Sequence, residues 1–228
     1  MATMPAARVW LGRLDALSDH LGEDWLSDDE AKRLQAMTAD VRRRSFLAGH
    51  WQARVLAADL LLIDSRRIAL YRYDDGRPQL RVDGQPSLLS LSISHSGDWL
   101  AIALATVPVG VDVELPRRTR DLRALARFTF SPEEAAGLDR LDDTDYSLAF
   151  HRLWTLKEAR GKRSGTGLLP GESRRVTSLP SNVDDAEATS WILGDGALSV
   201  AIAPGMQIEI DGGEGLHTPA HWRYRKDV

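Results

Sequence analysis

The chain contains no cysteine. Disulfides, thiolate metal sites and thiol nucleophiles are therefore excluded, and any metal must be held by oxygen or imidazole. Lysine is scarce: Lys32, Lys157, Lys162 and Lys226 are the four among 29 basic residues, and two of them share one hexapeptide. No apolar run approaches the ~18–20 residues that a bilayer span requires. The opening Met1-Ala2-Thr3-Met4-Pro5-Ala6-Ala7-Arg8 also lacks the basic-then-apolar order of a secretory signal. These absences lead us to expect a soluble, cytoplasmic protein with no membrane partner. No glycine-rich strand-to-helix phosphate loop occurs either. Positive charge is not in excess, since the formal net charge is −4, and this counts against nucleic acid as a partner.

What is present is an ordinary globular composition, 43% hydrophobic and 27% charged over 228 residues, enough for one domain or two small lobes with a sizeable core. Ser27-Asp28-Asp29-Glu30, followed by Ala31, Leu34 and Met37, reads as a capped helix. A second helix is expected over about 45–62, with Phe46, Trp51, Val55, Leu56 and Leu62 as its apolar stripe. Arg42, Arg43, Arg44 and Arg54 lie beside that stripe, as either a solvated basic face or an anion-binding one. Short strands are expected between 68 and 80, broken by a turn at Tyr73-Asp74-Asp75-Gly76-Arg77-Pro78, and over 89–94 and 99–106.

Val107-Pro108-Val109-Gly110 interrupts the strand pattern, and a boundary there divides the chain into residues 1–106 and 107–228. The second half repeats the element order, with helices over about 131–141 and 145–163 and strands near 175, 190–193, 198–202 and 206–210. Without strict β-α-β alternation, an α+β fold is expected rather than a doubly wound parallel sheet.

Three clusters could carry chemistry. In Gly110-Val111-Asp112-Val113-Glu114 strand alternation puts both carboxylates on one face, where they repel unless a cation lies between them. Oxygen ligands of this kind suit Mg²⁺, although Asp-x-Glu by itself is weak evidence. In Trp154-Thr155-Leu156-Lys157-Glu158-Ala159-Arg160-Gly161-Lys162, helical spacing aligns Trp154, Glu158 and Lys162 on one face. The alternative there is an exposed helix with a salt-bridged pair worth about 0.3–0.5 kcal/mol. Ser92-Ile93-Ser94-His95-Ser96-Gly97 is a strand running into a small-residue turn, and its serines and histidine point to opposite faces, which disfavours a serine-hydrolase pair.

Taken in order, Gly76-Arg77-Pro78, Ser92-Ile93-Ser94-His95-Ser96, Gly110-Val111-Asp112-Val113-Glu114 and the helix from Trp154 to Lys162 resemble the signature motifs of 4′-phosphopantetheinyl transferases of the monomeric, surfactin-synthetase-activating type. The resemblance covers about residues 27–176. It implies two pseudo-symmetric lobes, each a small, mainly antiparallel sheet packed against a long helix, with the active site in the cleft between them. It implies transfer of the phosphopantetheine arm of coenzyme A to a serine of an acyl or peptidyl carrier protein, as in secondary metabolite biosynthesis, with Mg²⁺ as cofactor and adenosine 3′,5′-bisphosphate as the leaving product.

Carried over residue by residue, Asp112, Glu114 and Glu158 become the metal set, while Glu158 as base and Lys162 as charge stabiliser become the catalytic pair. Ser94, His95, Lys157, Lys162 and Arg77, which stands where relatives have lysine, become coenzyme A contacts, with Arg42 and Arg54 added on spacing alone. Arg117-Arg118-Thr119-Arg120 and residues 123–127 are either a solvated basic surface or a docking face for an acidic carrier. Two other readings are a non-catalytic coenzyme A or carrier-binding module and a metal-dependent nuclease. Intact Glu158 and Lys162 oppose the first, and net acidity opposes the second.

Overall fold

The structure, a computed structural model, describes residues 7–14, 22–116 and 120–226. In chain order the elements are β1 (Ala7–Arg13), α1 (Asp28–Gln35), α2 (Asp40–Leu61), β2 (Ile68–Arg72), β3 (Pro78–Val82), β4 (Gln85–Ser96), β5 (Trp99–Ala105) and β6 (Gly110–Glu114). There follow α3 (Leu122–Thr129), α4 (Pro132–Leu138), α5 (Asp143–Ser164), α6 (Pro170–Ser173), β7 (Val176–Pro180), β8 (Ala188–Leu193), β9 (Gly196–Ala201), β10 (Ile208–Gly212) and β11 (Ala220–Lys226). Among the described residues no helix is long and apolar enough to cross a membrane.

The expected α+β architecture is observed as two mainly antiparallel sheets, each carrying one 22-residue helix, α2 on the first and α5 on the second. The first sheet has the order β10-β1-β5-β4-β3-β2 and the second the order β6-β9-β8-β11-β7. The division expected at residue 107 falls in the β5–β6 link, yet β10 pairs in parallel with β1, so the second half of the chain returns to complete the first sheet.

Strand β5 shows why the two layers adhere. Leu100, Ile102 and Leu104 point to one face and pack with Ala53, Leu56 and Ala57 of α2. Ala101, Ala103 and Ala105 point to the other face and join Val111, Val113, Leu198 and Val200 of the second sheet in one core. A strand buried on both faces must be apolar throughout, as Trp99-Leu100-Ala101-Ile102-Ala103-Leu104-Ala105 is.

Helix α1 begins with the expected capping box, Ser27 and Glu30 each bonding the other's backbone N–H. Helix α2 starts earlier than the expected 45, at Asp40, because the arginine run before its apolar stripe is itself helix-compatible. Strands β1 and β11 and helix α3 were not anticipated. β11 and α3 each carry a local period that the sequence reading passed over: Ala220, Trp222 and Tyr224 alternate with polar residues in β11, and Leu122, Leu125 and Ala126 share one face of α3.

Gly110 sets how closely α5 approaches β6: a Cβ there would lie 2.0 Å from the Ala159 carbonyl oxygen and 2.6 Å from the Arg163 nitrogen. Both are backbone atoms, so relief requires moving the helix. Gly110→Ala is expected to destabilise the protein by about 3 kcal/mol, the upper part of the usual overpacking range, read as a lower urea midpoint at unchanged m-value.

Candidate functional site

The site lies where β4, β6 and α5 meet. On β4, Leu91, Ile93 and His95 pair with Leu104, Ile102 and Leu100 and so face the α2 side. Ser90, Ser92, Ser94 and Ser96 pair with the small or interlobe-facing Ala105, Ala103, Ala101 and Trp99, and face β6. Each serine hydroxyl accepts a backbone N–H from β6 or its flanks: Val109 at 3.2 Å, Val111 at 3.0 Å, Val113 at 3.3 Å and Leu115 at 3.1 Å. Side-chain oxygens thus take the place of backbone carbonyls in joining the two sheets.

β6 has the alternation expected of it. Val111 and Val113 enter the interlobe core, while Asp112 and Glu114 turn to the other face. There they line a cavity of about 300 Å³ with Ser94, His95, Trp154, Glu158 and Lys162. The Lys162 ammonium donates to Asp112 Oδ1 at 2.8 Å and to the carbonyls of Val111 at 3.0 Å and Ile93 at 3.5 Å. The Ser94 hydroxyl donates to the same Asp112 Oδ1 at 2.7 Å.

Asp112 is 5% exposed, and its Oδ2 is buried without a hydrogen-bond partner among the described residues. Burial raises the Asp112 carboxyl above its ordinary value against the pull of Lys162. Burial, with the Asp112 charge adding to it and Lys162 opposing, pushes Glu158 up to about 7. Of the three carboxylates only Asp112 touches the Lys162 ammonium, and Glu114 has Arg120 at 3.7 Å, so three acidic groups meet two cations.

A larger cavity of about 450 Å³ adjoins this one, sharing Ile93, His95 and Lys162 with it. Arg33, Arg42, Arg72 and Arg77 ring it, over a floor that includes Met37, Phe46 and Leu91. Gly165, in the left-handed conformation at φ 77°, ends α5 and brings its backbone against Arg77, where a Cβ would lie 2.6 Å from Nε. Arg77 also holds Asp75 at 2.7 Å and lies over the Tyr73 ring. Arg33 and Arg72 escaped the sequence reading. Burial and the neighbouring Arg72 charge lower the Arg33 pKa, against the opposing pull of Asp29 at 3.8 Å and of Glu30.

Three of the expected coenzyme A contacts, Arg54, Lys157 and Ser94, have protein partners in the structure. Arg54, 1% exposed, is turned into the first lobe, where it pairs with both oxygens of Glu30, donates to the Ile68 carbonyl at 3.0 Å and lies over the Trp25 ring. Burial works to raise Glu30, but hydrogen bonds from His50 and Arg54 hold it down at about 2. Lys157, 2% exposed, points into the second lobe, to Glu134 at 2.7 Å, the Ser173 carbonyl at 3.0 Å and the Val176 carbonyl. Ser94 is committed to Asp112 and Val113. His95, Arg42, Arg77 and Lys162 do line the large cavity.

Fold and site together define a two-lobed α+β protein in which a cationic cavity opens onto an acidic pocket across one lysine. Residues 108–201 match the family described as the 4′-phosphopantetheinyl transferase superfamily. The chain is 31% identical to the 4′-phosphopantetheinyl transferase HetI of Nostoc sp. over 74% of its own length and 72% of that protein's. It is 32% identical to the 4′-phosphopantetheinyl transferase Sfp of Bacillus subtilis over 66% and 71% of the two chains. It is 34% identical to the 4′-phosphopantetheinyl transferase AcpT of Salmonella typhimurium over 71% and 77%. The chain belongs to the 4′-phosphopantetheinyl transferase superfamily and is an enzyme of that type.

The elevated Glu158 has a consequence for stability. Its folded value of about 7 exceeds the ordinary 4.5, so between those values the folded chain keeps a proton that the unfolded chain has released. Metal-free stability therefore falls as pH rises through that window. Glu158→Gln is expected to be more stable than the parent at pH 8 by about 1 kcal/mol, allowing for screening in a half-open pocket, and equal to it at pH 5. Thermal unfolding in EDTA at the two pH values measures this, and a parent as stable as the variant at pH 8 would contradict it.

Proposed function

We propose that this enzyme transfers 4′-phosphopantetheine from coenzyme A to the serine hydroxyl of an acyl or peptidyl carrier protein, with Mg²⁺, releasing adenosine 3′,5′-bisphosphate. The observation that carries the proposal is the continuity of the arginine-ringed cavity with the carboxylate pocket across Lys162 and His95. A nucleotide with several phosphates matches the first compartment, and a pyrophosphate at the junction reaches the second.

The residues fit a hard cation. Asp112 Oδ2 is buried and unpartnered among the described residues, and Asp112, Glu114 and Glu158 together exceed the charge of Lys162. Among those residues no trio of carboxylate or imidazole groups is arranged as a ligand cage, so an ion there would need substrate phosphate and water to complete its shell. Mg²⁺ bound by these carboxylates supplies charge neutralisation at the pyrophosphate.

The chain's own groups supply the rest. Arg33, Arg42, Arg72 and Arg77 bind the nucleotide phosphates, and Arg77 replaces an ammonium with a planar fork. Glu158, raised towards neutrality, accepts the proton of the carrier serine as its oxygen attacks the phosphorus bearing the pantetheine arm. The bond from that phosphorus to the bridging oxygen breaks, and Lys162 stabilises the charge growing on the departing bisphosphate.

A carrier, commonly acidic, has a cationic surface to meet beside the pocket. Arg120 is 3.7 Å from Glu114, and α3 displays Arg127 and a 63% exposed Phe128. The Arg117-Arg118-Thr119 stretch, read above as either a solvated surface or a docking face, lies outside the described residues.

Mass spectrometry of an apo carrier protein incubated with enzyme, coenzyme A and Mg²⁺ is expected to show the mass of one added phosphopantetheine, lost with EDTA. Glu158→Ala is expected to slow transfer about 10²–10⁴-fold and Lys162→Ala about 10²–10³-fold. Coenzyme A binding without transfer to any carrier class would favour a binding module, and absence of both would refute the proposal.

A further inference from the structure

The four serines of β4 meet β6 in a constant register. Each accepts the N–H of the residue 19 positions on and faces the side chain 18 positions on, as the bonds of Ser94 and Ser96 show. For Ser90 and Ser92 the residues 18 positions on are Pro108 and Gly110, which carry no acceptor in their side chains. For Ser94 and Ser96 they are Asp112 and Glu114. The Ser94 hydroxyl reaches Asp112 Oδ1 at 2.7 Å, and the Ser96 hydroxyl reaches Glu114 Oε2 at 2.6 Å.

A serine hydroxyl has one proton to donate and two lone pairs to accept with. Since a lone pair of each oxygen is taken by a β6 N–H, the proton of Ser94 and Ser96 has a fixed direction, towards the carboxylate. Ser96 is fully buried, so its rotor has no competing water. Asp112 and Glu114 stand on one strand face with Glu158 nearby, and mutual repulsion would otherwise swing the more exposed Glu114 towards Arg120, 3.7 Å from its other oxygen. One charge-assisted bond of this kind leaves the remaining lone pairs of the carboxylate directed outward.

We propose that Ser96, together with Ser94, is a positioning residue that orients Glu114 and Asp112 for cation binding, whereas Ser90 and Ser92 only join the two sheets. The proposal rests on the metal-dependent reading of the pocket. It separates two functions within a single run of four alternate serines, and Ser90 and Ser92 serve as internal controls that lose the same backbone bond.

The test is a set of four single substitutions, Ser90→Ala, Ser92→Ala, Ser94→Ala and Ser96→Ala. Each is measured by thermal unfolding without metal and by calorimetric titration of Mg²⁺ into coenzyme A-saturated protein. All four are expected to lower the melting temperature by a few degrees, about what one lost hydrogen bond produces. Mg²⁺ affinity is expected to hold within about twofold for Ser90→Ala and Ser92→Ala, and to weaken about 10-fold or more for Ser94→Ala and Ser96→Ala. Equal affinities in all four variants, whether intact or uniformly weakened, would overturn the positioning role while leaving the metal reading in place. Failure of the parent protein to bind Mg²⁺ under these conditions would overturn the metal reading and the positioning role with it.

Discussion

The two sheets are held edge to face by hydroxyl groups, and the site depends on that seam. β4 pairs with β5 from Ser90 to Ser96 and with β3 only as far as Ser90, and it meets β6 through its serine side chains rather than through a backbone ladder. The serines extend the reach of β4 by one side chain, and the alanines opposite them on β5 leave room for β6 to settle against that face. The same geometry brings Val111 and Val113 into the shared core and turns Asp112 and Glu114 outward. Lys162 closes the seam from the other direction, donating at once to a β4 carbonyl, a β6 carbonyl and a β6 carboxylate. The pocket therefore forms when the lobes join, from groups that neither lobe holds alone.

Charge is handled differently at the site and away from it. In the first lobe, Glu30 is matched by Arg54 and His50, and its carboxyl is held low. In the second, Lys157 and Glu134 pair in burial, with Glu134 also accepting from the Ser178 N–H. These two buried ion pairs are satisfied, as the cost of an unpaired buried charge demands. At the pocket the balance is left incomplete: Asp112 keeps an unpartnered oxygen among the described residues, and Glu158 is lifted by burial and by its acidic neighbour. Across Lys162 the opposite imbalance appears, with Arg33 lowered by burial and by Arg72. Two compartments of opposite excess, joined end to end, suit a ligand that brings anions to one and cations to the other.

Much of this was legible in local periods, and what was not legible is tertiary. Alternation in Gly110-Val111-Asp112-Val113-Glu114 placed the two acids on one face, and the i, i+4 spacing of Trp154, Glu158 and Lys162 placed those three together, as they are in the pocket. Lys157 lies about 100° away around α5, and its burial against Glu134 follows from that turn of the helix. Arg54 differs: nothing local marks it off from the arginines at the start of α2, and only its partner Glu30, 24 residues away, shows that it belongs inside. Arg33 and Arg72 have no local signal, since the cavity they share is made by bringing α1 against β2. The parallel pairing of β1 with β10 joins residues about two hundred positions apart, beyond the reach of any local pattern. The alternate serines at 90, 92, 94 and 96 were visible as a period of two, but their acceptor role requires knowing which strand lies opposite.

The scarcity of lysine acquires a physical meaning at the two interior positions. Lys162 donates to one carboxylate and two backbone carbonyls, and Lys157 likewise meets one carboxylate, Glu134, and two backbone carbonyls, of Ser173 and Val176. Three acceptors converging on one atom suit a tetrahedral ammonium with three donors. A guanidinium spreads its donors over a plane and would need those acceptors spaced along its edge. In a chain whose other cations are arginines apart from Lys32 and Lys226, including the four arginines ringing the large cavity, these two positions retain the residue that the acceptor geometry demands. One of the two tripods is closed inside the second lobe and serves stability. The other differs in a single respect: it stands at the junction of two cavities, where the same compact charge also faces a ligand.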